Sequence, residues 1–410
     1  MSAVSDPSRA ARAARDPRLD LFRGLGMFII LFAHIPNNAF ADWIPARFGF
    51  SDATEIFVFC SGMASALAFG RVFDRAGLAL GAARIAHRIW QVYWAHIAVF
   101  LAIVAALAFA DEATGAMRYV RHELNLGPFL DDPARRILGL LTLTYVPNYF
   151  DILPMYLGIL ALVPIAMAAE RRGGPALAGA LCLGLWVLAA LGALELPAET
   201  WGPGRAWFFN PFSWQLVFFL GFGFVRGWLR PPPADRRLVA LAAAGLALAA
   251  PFSCQYGWSC YAAWGTVPWL GEAHDWLAPA NGKTHLGILR VGHFLCLAYL
   301  SYLAAGPGGS RLRRMPGVEI VSLVGRQTLA VFLAGLWLAQ VLGVVLDVVG
   351  RNAVTVALAN LGGCALLVLV AALVEWFKGS PWAVRGPARA RAPADDAEVS
   401  ARPRLNLAAR

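Results

Sequence analysis

The sequence predicts an all-α fold, a polytopic integral membrane bundle of about ten transmembrane helices. Three observations carry this expectation. Hydrophobic residues make up 59% of the chain and charged residues only 15%, too little polar surface for a soluble domain of this size. Apolar stretches recur along the chain, centred near residues 29, 61, 100, 160, 185, 219, 245, 296, 334 and 364. With their flanks they approach the ~20 residues that cross a bilayer. The charge sits in the connecting loops, and alternate loops hold most of the Arg. The net charge of +10 therefore reads as membrane orientation rather than nucleic-acid binding. The length of 410 residues leaves no room for a large soluble domain.

Residues 1–18, MSAVSDPSRAARAARDPR, are Arg-rich like the start of a signal peptide. No small-residue cleavage site follows, so an uncleaved cytoplasmic basic tail is expected. The membrane domain is expected over 19–378. Residues 379–410 are rich in Pro, Ala and Arg without apolar periodicity, and a disordered cytoplasmic tail is expected there.

The first span organises the rest. Residues 19–38 read LDLFRGLGMFIILFAHIPNN. Arg23 and His34 are eleven positions apart, about three turns, so a helix projects both from one face roughly 16 Å apart along its axis. Asp20 lies near the same face. Charged groups on a membrane helix are costly and must face protein or water, which makes them functional candidates.

With the N-terminus inside, one set of loops carries Arg71, Arg75, Arg84 and Arg88, then Arg171 and Arg172, then Arg230, Arg236 and Arg237, then Arg311, Arg313 and Arg314. The opposite loops hold fewer basic residues, so both termini are expected in the cytoplasm. Two outer loops are long. Residues 111–151 end in the less polar ILGLLTLTYVPNYFD, too short to span and expected to be re-entrant or interfacial. Residues 252–285 are rich in Trp, Tyr and Gly, which suits a sugar-facing surface and an interfacial belt equally. Cys254 and Cys260 lie in that loop with five residues between them. A disulfide and two free thiols are both open. The other four Cys lie in or beside apolar spans and read as small buried hydrophobes. No Cys/His cluster has metal-ligand spacing, and no metal is expected.

His34 is the leading catalytic candidate, because a neutral imidazole can take a proton from a hydroxyl near physiological pH. A lone histidine is more often satisfied by its own helix, but Glu55 opens the second span from the same side and joins His34 as a catalytic candidate. Arg23 suits an anionic group such as a phosphate, and equally a membrane anchor or a partner for Asp20. Arg84 and Arg88 are four apart on one helix face, placed to hold phosphates or to snorkel. Asp151 opens the fourth span. Arg290 and His293 share a face of the eighth, and Arg326 starts the ninth. Together they would give a polar seam through the bundle.

Several stretches resemble known families. The pattern LD-x-x-RG, with Arg23 followed by ten residues and His34, resembles the acyltransferase-3 superfamily. So do IFVFCSGM at 56–63, where Met63 replaces the usual aromatic residue, and RIAHRIW at 84–90. More closely, RDPRLDLFRGLGMFIILFAHIPNN, FGFSDATEIFVFCSGM, FDILPMYLGILALVP, NPFSWQ, LRVGHFLCLAYL and VGRQTLAVF resemble the OpgC family of osmoregulated periplasmic glucan succinyltransferases, from about residue 15 to 340. The resemblance implies a bacterial inner-membrane enzyme that moves an acyl group, expected to be succinyl, from a cytoplasmic acyl-CoA to hydroxyls of a periplasmic glucan. Acyl-CoA would be a co-substrate, and no other cofactor is implied. His34 would activate the sugar hydroxyl, oriented by Glu55 or Asp52. Arg23, Asp20, Arg84, Arg88, Asp151, Arg290 and His293 are the candidates for binding donor or substrate. The alternatives are O-acetylation of another polysaccharide, and a transporter or flippase using the polar seam as its path.

Overall fold

The computed structural model describes residues 17–124, 126–202, 204–252 and 268–382. Among them it is all-α, with no strand and two isolated bridges, Tyr145 with Glu199 and Pro197 with Ala206. Residues 1–16, residues 383–410 and the Cys254–Cys260 pair lie outside the described residues.

Helix α1, Pro17–His34, contains the whole Arg23-to-His34 stretch. Helix α2, Ala53–Ser65, runs through a π turn, Ala66–Gly70, into α3, Arg71–Thr114. Two short helices, α4 (Gly127–Asp131) and α5 (Pro133–Thr142), precede α6, Ile152–Ala190. Then come α7 (Pro211–Arg226), α8 (Arg236–Ala249), α9 (Pro268–Asn281) and α10 (Ile288–Ala305). Helices α11 (Val318–Arg326), α12 (Thr328–Val349) and α13 (Ala353–Lys378) complete the described chain.

Local chemistry sets these boundaries. Asp52 and Glu55 form a capping box that starts α2, and Asn352 with Thr355 does the same for α13. Asn210 caps α7 ahead of a Pro at the first helical position. Gly77 breaks α3, and Gly173–Gly174, followed by Pro175, breaks α6. The second break separates the spans expected near 160 and 185.

All ten expected centres fall on helices. By length and apolar content, five helices among the described residues are able to cross a membrane: Ala53–Thr114, Ile152–Ala190, Ile288–Ala305, Thr328–Val349 and Ala353–Lys378. Because two of these are continuous across a break, the five hold seven of the ten centres. Helices α7 and α8 are shorter, at 16 and 14 residues. Segment 137–151 contains no crossing. Helix α5 ends at Thr142, and the chain then pairs with the 196–207 segment, Val146 N–H donating to the Ala198 carbonyl at 2.9 Å.

The main interior cluster is aromatic-rich, with Trp214, Phe218, Phe222 and Phe100 fully buried. The outward faces remain apolar, with Leu358, Leu361 and Leu369 of α13 exposed, as a lipid solvent permits. The most closely packed helix pairs are α1 with α11 and α2 with α7. Small residues make this possible. A Cβ on Gly24 would meet the Val321 carbonyl, and one on Gly325 would meet the Asp20 carbonyl. Gly26, two residues along the same helix, has open space at that position. Gly24→Ala is therefore expected to abolish recovery of monodisperse protein in detergent, because backbone on the facing helix cannot yield. Gly26→Ala should fold, with a slight gain from helix propensity of up to about 1 kcal/mol. Equal behaviour of the two variants in size exclusion would show that the α1–α11 contact does not limit folding.

Candidate functional site

His34 is the last residue of α1 and is half-buried. Its Nδ1 lies 2.7 Å from the Ile30 carbonyl of the preceding turn. A carbonyl can only accept, so Nδ1 carries the proton and Nε2 keeps its lone pair. The ring packs edge-on against Tyr149, with centroids 5.1 Å apart. Gln340 of α12 donates to the His34 backbone carbonyl at 3.4 Å. Around it, Asn38 and Asn360 pair their side-chain amides reciprocally at 2.9 Å. Arg351 donates to the Pro36 carbonyl at 2.9 Å. The turn leaving His34 is thus fixed from α12 and α13.

A buried ionic cluster forms where α2 begins. Glu55, fully buried, accepts from the Asp52 backbone N–H at 2.7 Å through one oxygen and from Arg290 at 2.7 Å through the other. Asp52 accepts from Thr54 N–H at 2.7 Å, from Lys283 Nζ at 2.6 Å and from Arg290 at 3.3 Å. Asp52 lies just ahead of the apolar span. Burial disfavours its charge, but Lys283 and Arg290 outweigh burial and hold the carboxyl well below the ordinary carboxylate range. The Lys283 turn is itself clamped: Trp214 donates to the Lys283 carbonyl at 2.9 Å and Trp186 to the Leu286 carbonyl at 3.0 Å. Lys283 and Asp52 both act on His34 through their charges.

Arg290 and His293 share a face of α10, as expected from their spacing, and both turn toward residues 49–55. His293 Nδ1 receives the Ser51 backbone N–H at 3.3 Å and lies 2.7 Å from Ser51 Oγ. Because the N–H must donate, Nδ1 of His293 is an acceptor and its proton sits on Nε2. The two histidines are therefore opposite tautomers. His34 offers a lone pair, whereas His293 uses its own to hold the α2 loop.

No hydrogen bond joins Glu55 to His34 among the described residues. Both Glu55 oxygens are engaged by Asp52 and Arg290. Asp151 stands just before α6 without a side-chain capping bond and is buried, with Oδ1 lacking a hydrogen-bond partner. Asp20 is buried and Arg23 half-buried near the opposite end of α1, where both act electrostatically on Cys60. Arg84 stacks over the Phe69 ring at 5.8 Å. Arg88 donates to Gln91 of its own helix at 3.2 Å. The structure thus separates the candidates into a His34 end and an Arg23 end. Arg326 ends α11 and pairs with Glu375 at 3.0 Å.

Lys283, Tyr149, Ser51 and His96 did not stand out as site residues in the sequence. Lys283 carried a signal as the one Lys or Arg in the 252–285 loop. His96 carried one as an ionisable residue inside an apolar span. Tyr149 carried none.

These features define a multi-pass helical membrane protein with an imidazole and a buried ionic cluster at one end of its bundle. The chain belongs to the OpgC protein family, whose model matches residues 15–379. Its class is accordingly that of a glucan-modifying acyltransferase set in a membrane. No curated protein and no solved structure matches the chain.

Proposed function

We propose that the chain moves a succinyl group from succinyl-CoA to hydroxyls of a periplasmic glucan, with His34 as the base. The observation that carries the reading is the His34 tautomer: Nδ1 is committed to Ile30, and Nε2 has no hydrogen-bond partner among the described residues. As the sugar oxygen attacks the thioester carbonyl, Nε2 takes the hydroxyl proton. The C–S bond then breaks, and the leaving thiolate recovers that proton from the imidazolium. The thioester is already activated, so positioning and one base suffice.

In this reading the bundle crosses the bacterial inner membrane ten times with both termini in the cytoplasm, which the Arg bias supports. Arg23 receives the donor's phosphates, aided by Arg84 and Arg88, while Asp20 orients Arg23. The pantetheine arm carries the thioester along α1 toward His34. Glu55, Asp52, Arg290, His293 and Asp151 shape the acceptor end, and Glu55 acts on His34 through the charge cluster rather than by contact.

Purified protein in detergent, given succinyl-CoA and glucan, should form succinyl esters detectable by mass spectrometry without any gradient. Absence of turnover would return the transporter reading, and turnover with acetyl-CoA alone would change the acyl group. In the same assay Arg23→Lys should raise the KM for succinyl-CoA, because a point charge replaces a bidentate fork. An unchanged KM would leave Arg23 an anchor.

A further inference from the structure

Lys283 stands in the turn ahead of α10, and that turn is braced along its length. Besides the Trp214 and Trp186 bonds, Asn210 N–H donates to the Thr284 carbonyl at 3.2 Å and Gly287 N–H to the Gly282 carbonyl at 2.9 Å. A lysine on so fixed a backbone delivers its ammonium to a defined place, 2.6 Å from Asp52 and over the Phe209 ring at 5.5 Å. The side chain is nevertheless 29% exposed. Nζ carries three N–H donors, and among the described residues it spends one, on Asp52. Two other cations at this end are committed. Arg290 is buried with its donors on Glu55 and Asp52. Arg351 serves the Pro36, Asn37 and Gly343 carbonyls and Asp347. Asp52 does not depend on Lys283 alone, since Arg290 and the Thr54 N–H also reach it. Lys283 therefore has charge and donors beyond those the fold uses.

Helices α1 and α2 pack side by side. Asp20 and Arg23, early in α1, act on Cys60, late in α2, whereas His34 at the end of α1 feels Asp52 and Lys283 at the start of α2. The two helices are thus antiparallel, and Lys283 sits at the His34 end. A thioester that arrives from the Arg23 end trails its CoA back along α1, so its acyl chain points past His34 toward the end that carries Lys283.

We infer that Lys283 receives a carboxylate at the far end of the transferred acyl chain, and so selects a dicarboxylic acyl group over a plain one. The inference rests on the acyl-transfer reading. In a succinyl thioester the carboxylate carbon is three C–C bonds from the reacting carbonyl, about 4 Å when extended. A lysine presents a compact charge on a flexible stem, suited to that terminus, and the hydrogen bond formed is charge-assisted. A butyryl chain of the same length ends in a methyl group and offers the ammonium nothing in place of water.

The test compares succinyl-CoA with butyryl-CoA, using full-length protein in detergent with glucan as acceptor. Wild type should prefer succinyl. Lys283→Met keeps the stem and removes the charge, and Lys283→Gln is the more polar substitute; elution profile and unfolding midpoint identify which of them folds. In the folded variant the ratio of kcat/KM for succinyl over butyryl should fall by about tenfold or more, the worth of a hydrogen bond between charged groups. Lys283→Arg retains the charge and should keep most of the preference. A folded Met or Gln variant with the wild-type ratio overturns the proposal, and so does an equal loss with both donors, which would make Lys283 a partner of Asp52 alone. A wild type that does not prefer succinyl overturns it without any variant. If wild type transfers neither group, the acyl-transfer reading itself falls.

Discussion

His34→Ala is expected to reduce acyl transfer by roughly 10²- to 10⁴-fold, the usual contribution of a positioned general base. The loss should appear in kcat, because His34 lies at the end of the bundle opposite Arg23, the proposed contact for the donor phosphates. His34→Gln is the sharper control. A glutamine can still donate to the Ile30 carbonyl and fill the space beside Tyr149, but it has no basic nitrogen. If Gln restores folding without restoring turnover, the function lies in the Nε2 lone pair rather than in the packing. If His34→Gln turns over at the wild-type rate, His34 is a structural histidine satisfied by its own helix. Ester formation measured on monodisperse protein decides between the two.

The fold was legible because hydrophobic patterning is a local property. Each apolar run reports its own helix, and the Gly173–Gly174–Pro175 step marks where one helix ends. The site was legible only in part. The separation of Arg23 and His34 follows from helical rise along one element, so the sequence could place these two residues relative to each other. Asp52 and Glu55 were legible as neighbours, since S-D-A-T-E has capping-box spacing. Their partners were not. Lys283 and Arg290 are 231 and 235 residues away from Asp52 and Glu55 in the chain, and nothing local in either segment announces that pairing. Glu55 shows the consequence. Its position at the His34 end suggested an orienting partner for the imidazole, whereas its carboxylate is filled by a backbone N–H and by Arg290. Tyr149 was invisible for another reason. Its importance comes from a left-handed backbone that carries its ring against that of His34. A tyrosine in a loop gives no sign of such a conformation.

A large stability effect that can be read on folded protein belongs to Arg290. Its side chain and that of Glu55 are 4% and 0% exposed, so the pair has left water almost completely. Two such charges are not worth much more than a well-packed apolar pair, but removing one strands the other. Arg290→Ala leaves the Glu55 carboxylate with only the Asp52 N–H as a partner, and leaves Asp52 with Lys283 and the Thr54 N–H. The expected cost is about 3–5 kcal/mol, read as a fall in the unfolding midpoint in detergent. Glu55→Gln combined with Arg290→Met tests the cause. It removes both charges while keeping volume, so the double variant should be more stable than Arg290→Ala alone. Additive losses in the double variant would mean that packing at α10, not the stranded charge, sets the penalty. An Arg290→Ala protein that unfolds at the wild-type midpoint would mean that α2 and α10 are held together by other contacts. The cluster would then have to be explained by what it binds rather than by what it holds in place.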